Sequence, residues 1–278
     1  MLFRREHSSE DLKRFYPAIF AESEKETLSN KYLYIPTHKI LSGLEKVGFK
    51  IVGAKQQRSR KIDSREYAKH VVYMTHNSQK DLSKVGDELP MIALTNSHNG
   101  LSSFAIDTAF FRLACSNGLL MPSNSINSAR ITHKKGMEQD IIEASYSVIE
   151  SFPKQLEQIE QMKNIELKSE EKMLLAESAS RIAFDDETLD YNKKLGNSID
   201  AKLLRPRRSY DTKNDLWTTF NVIQENVIKG GLRIARQRDD GSRSVSRSRA
   251  VNSIDKDSKL NKELMQLALK MKELKCPA

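Results

Sequence analysis

Apolar and polar residues along this chain follow two periods, and the change between them near residue 138 divides it. Ile40, Leu41, Leu44 and Val47 recur at helical spacing behind Pro36 and Thr37, with Thr37 as the expected N-cap and Gly48 as the stop. Phe49 and Ile51 then open a strand in which Gly53 marks a bulge. Residues 67–75, with Val71, Val72, Tyr73 and Met74, return as a second strand, so 55–65 reads as the tip of a long hairpin. Residues 91–94, residues 104–114 and a start at 119–121 supply three more strands. Asn-Gly pairs at 99–100 and 117–118 flank the fourth and mark a β-meander.

Beyond residue 138 the period becomes 3.6. Ile141, Ile142, Ala144, Tyr146, Val148, Ile149, Phe152, Leu156, Ile159 and Met162 make one stripe, bent at Pro153, while Glu138, Asp140, Glu143, Glu157 and Glu160 form its wet side. Helices follow at 173–182 and 216–227, the latter stopped by Gly230 and Gly231. Residues 242–253 are arginines among serines, a composition that stays mobile until a partner orders it. Leu260, Leu264, Leu267, Met271 and Leu274 close the chain with an amphipathic helix. The predicted fold class is α+β: an antiparallel β-meander packed against long helices, with a flexible basic C-terminal segment and a terminal helix. The expected organisation is an N-terminal arm at 1–30, a core domain at 31–235, a basic Arg/Ser-rich linker at 236–255 and a C-terminal helix at 256–278.

Charge gives this frame a partner. Over 278 residues, 46 Lys and Arg face 37 Asp and Glu, a net +9 that favours a polyanion. Cys115 and Cys276 have no CxxC or Cys/His spacing, which argues against disulfides and zinc and for the reducing cytoplasm of a host cell. The N-terminus lacks the apolar core of a signal peptide, and no apolar run reaches the roughly 20 residues that span a bilayer, so no membrane association is expected. GxxxxGK[ST], GxSxG, HExxH and a dinucleotide fingerprint are all missing, and no two histidines have the spacing of a helical metal site. Catalytic residues, a metal and a cofactor are therefore not expected. Asp185, Asp186 and Glu187 read as a helix cap, with a metal-dependent nuclease as the third-ranked alternative.

The candidate nucleic-acid-binding residues fall in three places. The hairpin tip carries Lys55, Arg58, Arg60, Lys61 and Arg65, with Tyr67 or Tyr73 available to stack on bases. Strand alternation sets Arg112 on the face opposite Phe111 and Leu113, read as the accessible side alongside Phe110 and Ala114. Its guanidinium fork suits a phosphate, and Asn96, His98 and Asn117 complete a candidate polar site beside it. The third place is the tail, where Arg233, Arg236, Arg238, Arg243, Arg247 and Arg249, with Lys229, outnumber Asp239 and Asp240. Trp217 and Phe220 share one helical face and read as core.

Two segments, NSHNGLSSFAIDTAFFRLACSNGL at 96–119 and WTTFNVIQENVIKGG at 217–231, resemble the phage/plasmid-like family described as domain of unknown function 932. The resemblance covers roughly 32–250, with Arg-Leu-x-Cys-x-Asn-Gly its most specific part, and it implies a mobile element or phage genome without a reaction. The order of elements is also similar to that of single-strand annealing proteins, an analogy of topology alone. In such proteins a curved sheet and a helix make a positive groove that neighbouring subunits extend along single-stranded DNA; Lys55, Arg58, Arg60, Lys61 and Arg112 would be its cations. The expected function is thus a non-enzymatic DNA-binding protein of a phage or plasmid, preferring single strands, acting in recombination or replication by annealing or protection, and assembling as a homo-oligomer. The alternative is a protein-interaction module directed at a host or phage protein, acting against host defence or restriction.

Overall fold

A computed structural model describes residues 9–23, 34–58, 64–79, 88–100, 102–112, 118–120, 129–131, 137–209 and 211–276. The chain divides into two compact units, residues 1–154 and 155–278. A single core over 31–235 was expected; the break falls instead three residues into the helix Phe152–Lys163, whose first turn holds Pro153.

The first unit is the meander. Strands β1 (Phe49–Gln56), β2 (His70–His76), β3 (Glu88–Asn96) and β4 (Phe104–Arg112) pair antiparallel in chain order. The far edge of β4 is shared: β5 (Gly118–Leu120) takes Ala109 to Phe111 and β6 (Ala129–Ile131) takes Phe104 to Ile106. Register slips between Ile51 and Gly53, where the sequence placed a bulge. Alternation then sends Val72, Met74, Ile92, Leu94, Phe104 and Ile106 to one face. Helices α1 (Ser9–Phe15), α2 (Thr37–Lys46) and α3 (Met137–Glu150) cover it through Leu12, Ile40, Leu41, Leu44, Ile141 and Val148.

Residues 9–20, expected in a loose arm, are part of this core. After α1 a 3-10 turn, Pro17–Phe20, buries Ala18 and Ile19 completely. Ala18 is held on both sides of its backbone: its N–H donates to Gln56 Oε1 at 3.0 Å, and its carbonyl lies 3.0 Å from His98 Nε2. Two polar contacts inside an apolar seat fix this turn in the core, and the rest of the expected arm, 1–8 and 24–30, lies outside the described residues.

The second unit is helical. Helix α4 (Phe152–Lys163) leads into α5 (Ser169–Ala183), α6 (Asp186–Lys194), α7 (Ile199–Leu203), α8 (Leu216–Lys229) and α9 (Ile254–Lys275). Helix α8 is buried without interruption from Leu216 to Val227, against α5, α7 and α9. Trp217 and Phe220 stack in its core at 5.4 Å, as their spacing predicts. Its polar residues tie down separate segments: Gln224 donates to Asn261 Oδ1 of α9 at 2.8 Å, and Asn226 donates to the carbonyls of Leu203 and Arg205 at 2.9 Å each. The WTTFNVIQENVIKGG segment is therefore the pillar of this unit.

Candidate nucleic-acid interface

A two-stranded hairpin follows α8. Strand β7 (Arg233–Gln237) pairs antiparallel with β8 (Arg243–Arg247), overlapping the stretch at 236–255 expected to be a flexible linker. Two glycines launch it. Gly230 (φ +62°) and Gly231 (φ +83°) end α8 in the left-handed region, and a Cβ on Gly230 would sit 2.7 Å from the backbone of Ser248 and Arg249. The Gly231 N–H donates to Ser248 O at 2.8 Å, closing the base of the hairpin. At its tip the Arg238 N–H donates to Ser242 O and the Gly241 N–H to Arg238 O, with Gly241 at φ +79°. This is a three-residue loop, Asp239, Asp240 and Gly241, with glycine in the left-handed seat. The Asp-Gly pair flanked by alternating residues was the readable signal, obscured by the serine and arginine composition around it.

The outer edge of β7 is stapled by side chains of the helical unit. Asn192 of α6 acts as a surrogate strand, donating to Ala235 O at 2.8 Å and accepting from Ala235 N–H at 3.0 Å. Lys202 Nζ donates to Arg233 O at 2.7 Å. With Ala235 so engaged, the ladder to β8 runs through Ile234 with Ser246 and Arg236 with Ser244, while Ile234 anchors the hairpin in the core.

What the hairpin presents to solvent is cationic. Arg233, Arg236, Arg238, Arg243, Arg247 and Arg249 are all exposed, and none makes an ion pair among the described residues. Arg233 stands directly opposite Arg247, a cross-strand pairing of like charge. Burial, joined by the charges of Arg205 and Arg233, holds the Lys202 ammonium below the usual lysine range. At least four cations thus converge at the hairpin's base. A cleft beside it is lined by Arg236, Gln237, Lys194 and the ring of Tyr191, together with carboxylates of α6.

The other cations of this region are occupied. Arg208 grips Glu225 with two bonds of 2.8 and 2.7 Å, and Lys229 meets the same carboxylate at 2.7 Å. Arg207 donates to Asn226 Oδ1 at 2.8 Å and to the Gly230 carbonyl. Lys229 therefore leaves the set of free tail cations. Asp185 caps α6 by accepting from Thr188 N–H at 2.7 Å, and the Thr188 bonds, more than the Arg236 charge, hold its carboxyl below the usual range. Among the described residues no three His, Cys, Asp or Glu side chains group as metal ligands.

In the first unit the sequence-derived candidates fare differently. Arg58 and Arg65 are exposed, Lys55 and Tyr67 are half-buried, and Arg60, Lys61 and Asn117 lie outside the described residues. Tyr73 is 2% exposed, which removes it as a stacking platform. Arg112 ends β4 in register with Glu88, and its side chain lies outside the described residues. Its predicted neighbour Phe110 is not on an accessible face: it is 1% exposed and meets Phe152 edge-on at 6.1 Å.

Asn96 and His98 are interior groups, closed off with Thr37 and His70 at 0% exposure. Asn96 Nδ2 donates to Thr37 Oγ1 at 2.9 Å, Thr37 Oγ1 lies 2.9 Å from His70 Nε2, and His70 Nδ1 lies 3.0 Å from Ala68 O. A carbonyl on Nδ1 makes that nitrogen the donor, so neutral His70 accepts the Thr37 proton through Nε2. Burial pushes the His70 imidazole down to about 4. Thr37 is correspondingly not the N-cap of α2; Pro36 holds that position and the threonine hydroxyl is the hub of the cluster. A polar site open to ligand is replaced by a buried clasp joining α2, β2, β3 and the N-terminal segment.

Fold and surface together define an α+β protein of two units, the second bearing an exposed, arginine-rich hairpin. The chain belongs to the family described as Domain of unknown function (DUF932), which matches residues 25–265. It is similar to two proteins of Escherichia coli (strain K12), UPF0380 protein YafZ and UPF0380 protein YfjQ. Each is 35% identical over 269 residues, covering 96% of this chain and 93% of the relative. No solved structure matches. Among the described residues no helix is long and apolar enough to cross a membrane.

Proposed function

We propose that this protein binds DNA, preferentially single-stranded, through the β7–β8 hairpin, and acts without catalysis in the recombination or replication of a mobile element in the host cytoplasm. The observation that carries the reading is the contrast in cation use. Arg207, Arg208 and Lys229 are consumed by the fold, whereas the six hairpin arginines are exposed on a stapled scaffold and form no ion pair among the described residues, with the Asp185 carboxylate acting on Arg236 only at longer range. Such cations neutralise phosphates and release counterions without reading sequence. Tyr191, in the cleft beside Arg236, supplies an aromatic ring within the same unit, as single-strand binders use for stacking.

Fluorescence anisotropy of a labelled oligothymidylate, titrated at rising salt, tests this. Binding should weaken with a log–log slope of about 0.7 per phosphate contacted. Replacing Arg243 and Arg247 together by Ala should lower affinity for every sequence alike and flatten the slope by roughly 1.4. No binding at low salt, or binding indifferent to salt, would overturn the reading.

A further inference from the structure

Among the described residues no strand pairs with the edge of β8 opposite β7. Because Asn192 occupies both backbone groups of Ala235, the Ala235 and Val245 pair is not bonded across the ladder, and the Val245 N–H and C=O point away from β7. The same parity turns out the backbone groups of Arg243 and Arg247. Among the described residues these meet no hydrogen-bond partner, and Val245 is 46% exposed. Natural proteins rarely leave such an edge bare without a charge that guards it. Here the guards are Arg243 and Arg247.

The sequence of this edge reads the same in both directions. Residues 242–248 are Ser-Arg-Ser-Val-Ser-Arg-Ser, a palindrome centred on Val245. An antiparallel partner with the same sequence would place Val245 against Val245, Ser244 against Ser246 and Arg243 against Arg247, all about a two-fold axis. A row across the joined strands would then read Arg233, Arg247 and Arg243 of the second copy, about 4.8 Å apart strand to strand, and the two-fold would repeat it. Unneutralised, those rows repel. A phosphate chain laid along them removes the repulsion and leaves the backbone pairing.

We propose that β8 is a self-pairing edge, joining two copies of this chain into one four-stranded sheet when a polyanion neutralises the arginine rows. DNA binding and dimerisation would then be the same event. The inference rests on the proposed phosphate-binding role of the hairpin, and the test separates the two.

In a Cys115→Ser, Cys276→Ser background, single cysteines are placed at 244, 245 and 246 and oxidised mildly, with and without an oligothymidylate long enough for two copies. Binding of a short oligothymidylate is followed by anisotropy on the same samples. Val245→Cys should give a disulfide-linked dimer that rises several-fold with DNA, since its Cα atoms would face each other at about 5.5 Å. Ser244→Cys and Ser246→Cys should link far less, because each meets the other position and not itself. Val245→Pro removes the outward N–H and takes no bond from the β7 ladder, so it should bind the short oligonucleotide normally yet lose the DNA-induced dimer in sedimentation. Equal linking at all three positions, or linking at 245 indifferent to DNA, overturns self-pairing, as does a one-to-one complex of the edge with oligoglutamate in place of the dimer. Normal binding with no dimer overturns self-pairing alone. Absence of binding overturns both.

Discussion

Two polar regions, one in each unit, hold residues that the sequence offers as binding groups, and they meet opposite fates. Under the meander, Thr37, His70, Asn96 and His98 are sealed from water, and each polar bond leads to the next or to a backbone carbonyl. On the hairpin, six arginines stay in solvent, and two of them face each other. Burial forces a polar group to find a partner, because an unmet one costs about 1–3 kcal/mol. Exposure imposes no such demand, so a cation can remain unspent. Half-buried Arg208, 25 residues before β7 begins, sits between the two cases and is spent on the buried Glu225 carboxylate. Environment, more than residue type, sorts structural groups from binding groups.

The comparison breaks most sharply at Arg208. Glu225 is 3% exposed, and its carboxylate is satisfied by Arg208 and Lys229. Arg208→Met leaves that charge buried with one partner and should cost about 3 kcal/mol, read as a fall in the urea midpoint. Adding Glu225→Leu should recover part of the loss, since replacing both members of a buried pair is milder than orphaning one. Arg243→Ala, by contrast, should change stability by less than about 0.5 kcal/mol. If the two single variants were equally destabilising, the division between spent and free arginines would collapse.

The histidine clasp predicts an effect nearly as large, through pH. His70 is neutral when folded down to about 4, whereas an unfolded histidine takes its proton near 6.5. Between those values the unfolded chain binds more protons, so stability is complete above about 6.5 and is lost as pH falls toward 4. The loss should approach about 3 kcal/mol. In His70→Gln the slope over that window should flatten, even though the variant is less stable at neutral pH. A variant that kept the full acid slope would remove His70 as its source.

Much of the first unit was legible beforehand, as were helices α5, α8 and α9 of the second, but not the hairpin between α8 and α9. The meander was readable because apolar alternation and turn residues are local signals: β1 to β4, the bulge at Gly53 and the stops at Gly48, Gly230 and Gly231 follow from them. The packed N-terminal segment was not, because Ala18 is fixed by Gln56 and His98, partners 38 and 80 residues away. Thr37 shows the same limit. Its place before a helical run fits a cap, but a bond to a distant histidine took the hydroxyl. The β7–β8 hairpin was missed for a compositional reason, since arginine and serine hid a short strand whose stability comes from Asn192 and Lys202. The candidate cations of that segment were nonetheless all on its surface.

The smallest expected effect tests the hairpin from both directions at once. Arg233 faces Arg247 across the strands and adds to the field that depresses the Lys202 ammonium. A residue placed there for folding alone would not be a third cation. Arg233→Gln should therefore stabilise the protein, by about 0.5 kcal/mol at low salt, and the gain should fade as salt screens the repulsion. The same change should weaken oligothymidylate binding and reduce its salt slope by about 0.7. Opposite signs for stability and affinity mark a position where the fold tolerates repulsion for the sake of a ligand. Thermal denaturation and anisotropy on one preparation decide it: a loss of stability with unchanged binding would make Arg233 a structural residue and leave the hairpin's repulsion without a purpose.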